Sequence, residues 1–309
     1  MDRWKLVDCE NLFQTVSDLE GTRHYYAHQA ELDAAGDYIA KRMAAYGLTV
    51  REQIFAIGDH PASFRNVEGF IGPVDKEPAA VLTAHYDTVA TTPGANDDAS
   101  GIAVMLEVAR VIAEMDEPPP VRFLAAAQEE NSNPLIFTPQ HESARRHGVW
   151  DEEQTFLSWA MAQGYRRVHA EAMGAFWGGS SLADGYRRGL VSAGDAIPAG
   201  LAAHIGDIIP LYEGMTVTTA IGRLNRMGST RWVAEAIDTG KPLSFCLALD
   251  ELGVFRDEPY TQQELDPAIP IFEGMTEQYL TDPEKRAGNF IFMLTDRVSE
   301  TTARSLSRA

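Results

Sequence analysis

One short segment, TAHYDTVATTPGANDDASG (83–101), brings together His85, Asp87, Asp97 and Asp98. An apolar run precedes the imidazole, and small residues surround the acidic pair. Imidazoles and carboxylates contributed by separate segments are what a hard or borderline divalent cation requires. Taken alone, the segment is either a solvated loop or a place where a cation binds, and acidic residues elsewhere must decide between these two interpretations.

Further carboxylates follow or interrupt two other apolar runs. Glu129 and Glu130 come directly after VRFLAAAQ (121–128), and Glu171 lies within RVHAEAM (167–173). An unpaired carboxylate is costly in apolar surroundings, so these side chains are predicted to face a cleft that supplies a cation or hydrogen bonds. The sequence therefore favours a cation site over a solvated loop.

Spacing suggests a role for each of these residues. Asp87 follows His85 by two positions, so it can face the same side and hold the imidazole in one tautomer. The small neighbours of Asp97 allow backbone and metal to approach closely. Glu129, beside the candidate ligand Glu130, can take a proton from a water molecule that the metal activates.

Helical and strand patterns alternate around these residues and must position them. Apolar residues at helical spacing predict helices at 31–47 and 101–115, and capping signals at both ends predict a third at 151–164. Extended patterns predict strands at 48–55, 65–72, 79–84, 121–128 and 167–173. The alternation predicts an α/β fold with a mixed, largely parallel sheet and helices on both faces. In such sheets ligands bind at the carboxyl ends of the strands, where the candidate residues fall.

At these motifs the chain resembles a known family, the co-catalytic zinc exopeptidases of the bacterial leucyl aminopeptidase type, which has the glutaminyl-peptide cyclases among its relatives. The matching stretches are AHYDT (84–88), PGANDDASG (93–101), AAAQEE (125–130) and HAEAMG (169–174). The resemblance covers roughly residues 20–176 and implies the zinc-dependent exopeptidase fold.

The resemblance also implies site roles. It assigns four metal ligands and a general base: His85 and Glu171 on one metal, Asp97 bridging two metals, Glu130 on the second, and Glu129 as the base. It implies a cis peptide bond between Asp97 and Asp98. Asp98 stands where the family usually has Asn, and we expect its charge to serve the start of the following helix rather than the metal.

One family feature is missing. The last metal ligand of the family is a His in a Ser-Asp-His segment, and the corresponding stretch here, GVFRDEPYTQQELDP (253–267), contains no His. Glu258 is the candidate replacement. The cofactor is predicted to be a divalent metal, zinc first, with one or two ions; an oxygen-rich second site makes Mn, Co or Fe plausible alternatives.

Composition and charge bear on the partners, the location and the domain organisation of the protein. The chain of 309 residues has a formal charge of −19, which argues against a nucleic-acid partner. No apolar run approaches the ~18 residues of a membrane span, and the start resembles no secretion signal. The two cysteines, Cys9 and Cys246, favour reduced thiols and a cytoplasmic location. We expect a single metallopeptidase-like domain over 1–309, with a divergent C-terminal third (about 177–309).

The resemblance predicts an aminopeptidase-like metal-dependent hydrolase that cleaves an amide bond next to a free amine in a small peptide or peptide-like metabolite. Two alternatives stay open. One is a biosynthetic relative with changed chemistry, either amide-forming, cyclising or deacylating; the other is a non-catalytic metal-binding relative. The sequence does not indicate the oligomeric state.

Overall fold

The computed structural model describes residues 3–25, 28–56, 62–89, 92–130, 211, 213–215 and 226–253. The described helices are α1 (Cys9–Leu19), α2 (Gln29–Ala45), α3 (Ser100–Ala113) and α4 (Met227–Asp238). The described strands are β1 (Thr49–Ala56), β2 (Ser63–Ile71), β3 (Ala79–His85), β4 (Val121–Ala126) and β5 (Leu243–Ala248). A short 3-10 turn (Arg3–Leu6) precedes α1, and a π-type turn (Ala95–Ala99) leads into α3.

The five described strands form one mixed sheet in the order β1-β2-β4-β3-β5. β3 pairs in parallel with both β4 and β5, whereas β2 pairs antiparallel with β1 and β4. The carboxyl ends of β3, β4 and β5 therefore meet at one edge of the sheet, because neighbouring parallel strands run in the same direction. This arrangement confirms the predicted mixed α/β class.

Helices cover both faces of the sheet, as predicted. Alternate residues of β4 point to opposite sides: Phe123 is buried in the larger core with Ile39 of α2 and Met105 of α3, whereas Leu124 is buried on the other side with Trp232 of α4. Apart from Arg122, which pairs with Glu68 of β2 at 2.9 Å, β4 consists of apolar residues, and this follows from its position, since both of its faces are covered.

The predicted helices at 31–47 and 101–115 and the strands at 48–55, 65–72, 79–84 and 121–128 are confirmed with small shifts at their ends. The predicted helix at 151–164 and strand at 167–173 lie outside the described residues. The sequence patterns did not predict α1, α4 or β5.

The chain divides into two compact units, Met1–Asp250 and Glu251–Ala309, and nearly all described residues belong to the first. The assignment of one domain to 1–309 stays a prediction. Both cysteines, Cys9 and Cys246, are free and exposed. None of the described helices combines the length and hydrophobicity that crossing a bilayer requires.

Candidate metal centre

His85 ends β3 and faces two carboxylates. Its Nε2 lies 2.9 Å from Oδ1 of Asp97, and its Nδ1 lies 3.4 Å from Oδ1 of Asp87. Nδ1 is also 3.2 Å from the backbone oxygen of Asp87. The ring is thus held from the Nδ1 side, which leaves Nε2 directed at Asp97 and available as a ligand.

Asp87 links the end of β3 to the acidic pair that follows β4. Its carboxylate is completely buried; Oδ1 accepts the backbone N–H of Glu129 at 3.1 Å and Oδ2 accepts that of Glu130 at 2.9 Å. One side chain therefore fixes both the imidazole of His85 and the backbone that carries the two glutamates.

The chain turns sharply between β4 and the acidic pair. Gln128 has a φ of 64°, a left-handed conformation that is uncommon outside glycine. The turn is held by buried Asn66 of β2, whose Oδ1 accepts the Ala127 N–H at 3.0 Å and whose Nδ2 donates to the Gly228 carbonyl at 2.8 Å. A Cβ on Gly228 would lie 1.9 Å from the Ala127 oxygen, so only glycine lets α4 start this close to the site.

Asp97 and Asp98 are joined by a cis peptide bond, which confirms the expectation from the family resemblance. Asp98 is buried, and its carboxylate accepts the N–H of Gly101 at 2.9 Å and the N–H of His85 at 3.2 Å. The contact to Gly101 places Asp98 at the start of α3, as expected, but burial raises the pKa of this carboxyl to about 8, so its predicted charge there is not supported. The same carboxylate also fixes the end of β3 against the beginning of that helix. The expectation that Asp98 does not bind the metal stays a prediction, since it also lies close to His85 and Asp250.

Arg23 holds the loop that precedes Asp97. Its guanidinium is almost fully buried and donates to backbone carbonyls of two separate segments. The acceptors just before Arg23 are Leu19 and Gly21 (2.8 Å), and those near the metal site are Tyr86 (2.8 Å), Pro93 (3.3 Å) and Gly94 (3.0 Å). Gly94 has a φ of 62°, and a Cβ there would lie 2.7 Å from Nη2 of Arg23. Arg23 therefore acts through the backbone, and the sequence motifs gave no sign of it.

The site residues fit a divalent cation. His85, Asp97 and Glu130 each offer one ligand atom, and these atoms lie within 4.8 Å of one another. The imidazole and the two carboxylates come from three separate segments, which is the donor set that zinc and similar ions take.

A second group with the same mutual spacing consists of His85, Asp98 and Asp250. Asp250 lies just beyond β5, exposed, with Oδ1 at 3.9 Å from Nε2 of His85. Because β5 is the second parallel neighbour of β3, its end meets the same edge of the sheet. The sequence analysis missed Asp250; the signal that pointed to it is LSFCLALDELG (243–253), an apolar run that ends in an acid.

Electrostatics supports a cation here. Burial disfavours the charged form of His85, but hydrogen bonds to Asp87 and Asp97 outweigh it and raise the pKa of the imidazole to about 12. Burial, together with the charges of Glu129 and Asp97, raises the pKa of Glu130 to about 8. Burial also raises the pKa of Glu129, against the opposing charge of His85. At neutral pH His85 and Glu130 thus carry protons that a bound cation would displace.

Glu129 sits beside the candidate ligands and contacts a residue far along the chain. The Nε of Arg226 donates to its Oε1 at 2.8 Å, although the two residues are 97 positions apart. Arg226 directly precedes α4, and the N–H of Met227 donates to the carbonyl of Gln128 at 3.0 Å.

The described residues account for most of the predicted site. Four of its members, His85, Asp87, Asp97 and Glu130, are brought together with Glu129 at the sheet edge. Glu171 and Glu258 lie outside the described residues, and their roles as ligands stay predictions.

The fold and the site define the chain as an α/β protein with a candidate divalent-metal centre at the ends of parallel strands. Residues 66–140 match the model of Peptidase family M28. The resemblance to zinc exopeptidases that the motifs indicated is thereby confirmed for the segment that contains His85, Asp97 and Glu130.

Curated relatives agree with this match. The chain is 33% identical over 208 residues to a "Probable zinc metalloprotease" of Pyrenophora teres f. teres. The matched region covers 54% of this chain and 43% of that protein. It is 46% identical over 68 residues to "Aminopeptidase YwaD" of Bacillus subtilis, or 21% of this chain and 15% of that protein. The chain thus spans less than half the length of these relatives.

Solved structures give partial matches. A glutaminyl cyclase of Porphyromonas gingivalis is 24% identical with a TM-score of 0.36, covering 40% of this chain and 46% of that one. A leucine aminopeptidase precursor of Bacteroides thetaiotaomicron is 23% identical with a TM-score of 0.36, covering 45% and 53%.

Proposed function

We propose that this protein is a zinc-dependent, aminopeptidase-like hydrolase that cleaves an amide bond next to a free amine in a small peptide. The observation that carries the proposal is the cluster of His85, Asp97 and Glu130, whose ligand atoms lie within 4.8 Å of one another. Glu129 directly precedes one of these ligands in the chain. The curated relatives are named as proteases or an aminopeptidase, so the cyclising and amide-forming alternatives are not proposed further.

In this proposal His85, Asp97 and Glu130 hold the metal, and Asp250 supplies an additional carboxylate from the end of β5. A divalent cation at this position supplies a Lewis acid and makes water more acidic. Asp87 keeps the imidazole of His85 oriented and holds the backbone of Glu130. The assignment of Glu171 to the same metal is a competing prediction, and replacing each acid separately distinguishes the two.

Glu129 is proposed as the general base. It takes one proton from the attacking water while the water oxygen bonds to the carbonyl carbon, and it passes that proton to the departing nitrogen as the carbon–nitrogen bond breaks. The products are a new carboxylic acid and a free amine. Burial raises the pKa of Glu129, and a raised pKa makes the carboxylate a better acceptor for the proton of the water.

The test of this proposal combines metal analysis with a peptide panel. Purified protein is expected to retain one or two zinc ions per chain and to hydrolyse unblocked dipeptides or aminoacyl-nitroanilides. N-acetylated versions of the same substrates are the control, because they lack the free amine. Absence of tightly held metal, or equal cleavage of blocked and unblocked substrates, would contradict the proposed activity.

The cytoplasmic location also remains a proposal, supported by the two free cysteines. Fractionation of the source cells tests it, and recovery of the protein outside the cytoplasmic fraction would oppose it.

A further inference from the structure

The contact between Arg226 and Glu129 has no role in the chemistry described so far. The Nε of Arg226 lies 2.8 Å from Oε1 of Glu129, and 59% of the Arg226 side chain is exposed. Within the described part of the chain, Glu129 is the one partner of this guanidinium. A charged donor group therefore stands at the open side of the site, next to the proposed base.

The contacts of Arg226 with the described residues leave most N–H donors of its guanidinium free to bind a substrate. An arginine side chain has five N–H donors in a planar fork, and its two terminal nitrogens match the two oxygens of a carboxylate. Toward the described residues only Nε is used, so both terminal nitrogens can meet the carboxylate of a substrate while the contact to Glu129 persists. A lysine at this position would lack that fork.

The position of Arg226 is fixed by the fold. It directly precedes α4, whose first residue donates its N–H to the Gln128 carbonyl at 3.0 Å. Gly228 packs against the end of β4, and buried Asn66 holds its carbonyl at 2.8 Å. The backbone of Arg226 is therefore anchored next to the turn that carries Glu129.

The buried guanidinium of Arg23, also near the site, does not serve the same purpose. Arg23 is 3% exposed and spends its donors on backbone carbonyls, including those of Tyr86 and Gly94. Among the described residues at this edge of the sheet, Arg226 is thus the arginine with an exposed, partly unused donor set.

The proposed mechanism determines which part of a substrate lies near Arg226. Glu129 returns its proton to the departing nitrogen, so it must lie on the leaving side of the scissile bond. A group bonded to Glu129 lies on that side as well. In a dipeptide the α-carboxylate is separated from the departing nitrogen by a single carbon, which is within the reach of a guanidinium that touches Glu129.

We propose that Arg226 is a specificity-determining residue that binds the free α-carboxylate directly after the scissile bond, so that dipeptides and similarly short substrates are preferred over longer or amidated ones. This inference rests on the proposed function, because it places the leaving group next to Glu129. Arg226 offers the positive charge that the carboxylate end of such a substrate needs.

The test uses a matched pair of substrates, alanyl-alanine and its C-terminal amide, with the zinc-loaded protein. The unaltered protein is expected to favour the free acid by about tenfold or more in kcat/KM. Arg226→Gln is expected to lower kcat/KM for the acid by about 10–100-fold and for the amide by less than about threefold. Arg226→Lys should give a kcat/KM for the acid between those of the unaltered protein and Arg226→Gln. Lys41→Gln, an exposed change on α2, should match the unaltered protein with both substrates.

A second measurement separates this inference from the proposed activity. Calorimetry compares binding of the acid and amide forms of an alanyl-alanine analogue with a CH2–NH link in place of the amide. Tighter binding of the acid that disappears in Arg226→Gln supports the inference even if no peptide is cleaved, in which case the proposed activity alone fails. Equal binding of both forms, no measurable binding of the acid, or an unchanged preference in Arg226→Gln overturns it.

The pairing of Arg226 with Glu129 has a rival explanation, namely that the arginine only tunes the base. In that case Arg226→Gln would change kcat by the same factor for acid and amide and would shift the pH profile of both. That outcome also overturns the carboxylate-binding role, because recognition of a carboxylate must distinguish the two substrates.

Discussion

The carboxylate of Asp87 accepts the backbone N–H of Glu130 at 2.9 Å. This bond joins the end of β3 to the end of β4, so the orientation of one candidate ligand depends on a residue that need not touch the metal. The same carboxylate faces Nδ1 of His85. Disturbing Asp87 is therefore expected to affect ligands on two strands at once.

Asp87→Asn tests this dependence. An amide can accept a hydrogen bond through only one of its two ends, so one of the N–H groups of Glu129 and Glu130 loses its acceptor. We expect zinc affinity to fall by about 10–100-fold. Competition with a chromophoric chelator measures the change, and Asp18→Asn, an exposed residue on α1, is the control. An unaltered affinity would mean that Asp87 does not position the ligands.

Glu129→Gln separates catalysis from metal binding. The variant is expected to keep its metal and lose about 10²–10⁴-fold in kcat, because the amide cannot accept the proton of the attacking water. Elemental analysis and dipeptide hydrolysis are measured on the same preparation. Glu114→Gln, at the exposed end of α3, should leave both quantities unchanged. Retained turnover in Glu129→Gln would rule out this residue as the base.

Asp250 and Glu171 are alternative candidates for one further carboxylate ligand of the metal. If the carboxylate at the end of β5 is a ligand, Asp250→Asn lowers the bound zinc or its affinity by about tenfold or more, whereas Glu171→Gln has little effect. Metal content after dialysis against a weak chelator compares the two variants directly. The reverse pattern would restore Glu171 as the ligand and remove Asp250 from the site.

Metal binding is expected to depend steeply on pH. The pKa of His85 is raised to about 12, so the imidazole must release a proton to the solvent whenever metal binds at a pH near neutrality. The pKa of Glu130 is raised to about 8, so below that pH a second proton must leave, and above it none does. Affinity therefore rises with pH, and more protons are released at pH 6.5 than at pH 9.

Calorimetry of Co²⁺ binding in buffers of different ionisation enthalpy counts the released protons. Glu130→Gln should reduce the difference between the two pH values, because the amide does not titrate, and what remains is expected from Asp98, whose pKa burial also raises to about 8. A release that is the same at pH 6.5 and pH 9 in the unaltered protein would contradict the raised pKa of Glu130.

Arg23→Lys tests the buried guanidinium. Lysine cannot reach the same set of carbonyls, so some of them lose a charged donor, and the free energy of unfolding is expected to fall by about 2–3 kcal/mol. Urea denaturation in excess EDTA measures this without a contribution from metal. Lys41→Gln is the matched surface change. Equal stability of Arg23→Lys and the unaltered protein would show that the carbonyls find other donors.

Local patterns in the sequence were sufficient for much of the fold and for part of the site. The apolar runs before His85 and Glu129 have the composition of strands covered on both faces, and β3 and β4 are such strands. The cis bond between Asp97 and Asp98 was implied by the family resemblance rather than by these patterns. The strand patterns depend on neighbouring residues, so a short window of sequence is enough to find them.

Other features depended on which segments are neighbours in space. Asn66 and Arg23 act on backbone groups of distant loops, and nothing in their own surroundings in the sequence marks them. Arg226 reaches Glu129 only because α4 begins against the end of β4. Asp250 joins the site because β5 pairs with β3, an order of strands that no local pattern specifies.

The kinds of ligands and the strand ends that carry them were thus predictable, because apolar periodicity and residue chemistry are local properties. Which further residues complete the site depends on contacts between segments that are distant in the chain. The order of strands and the packing of α4 result from long-range burial of apolar surface, and that burial brought Asp250 and Arg226 to His85 and Glu129.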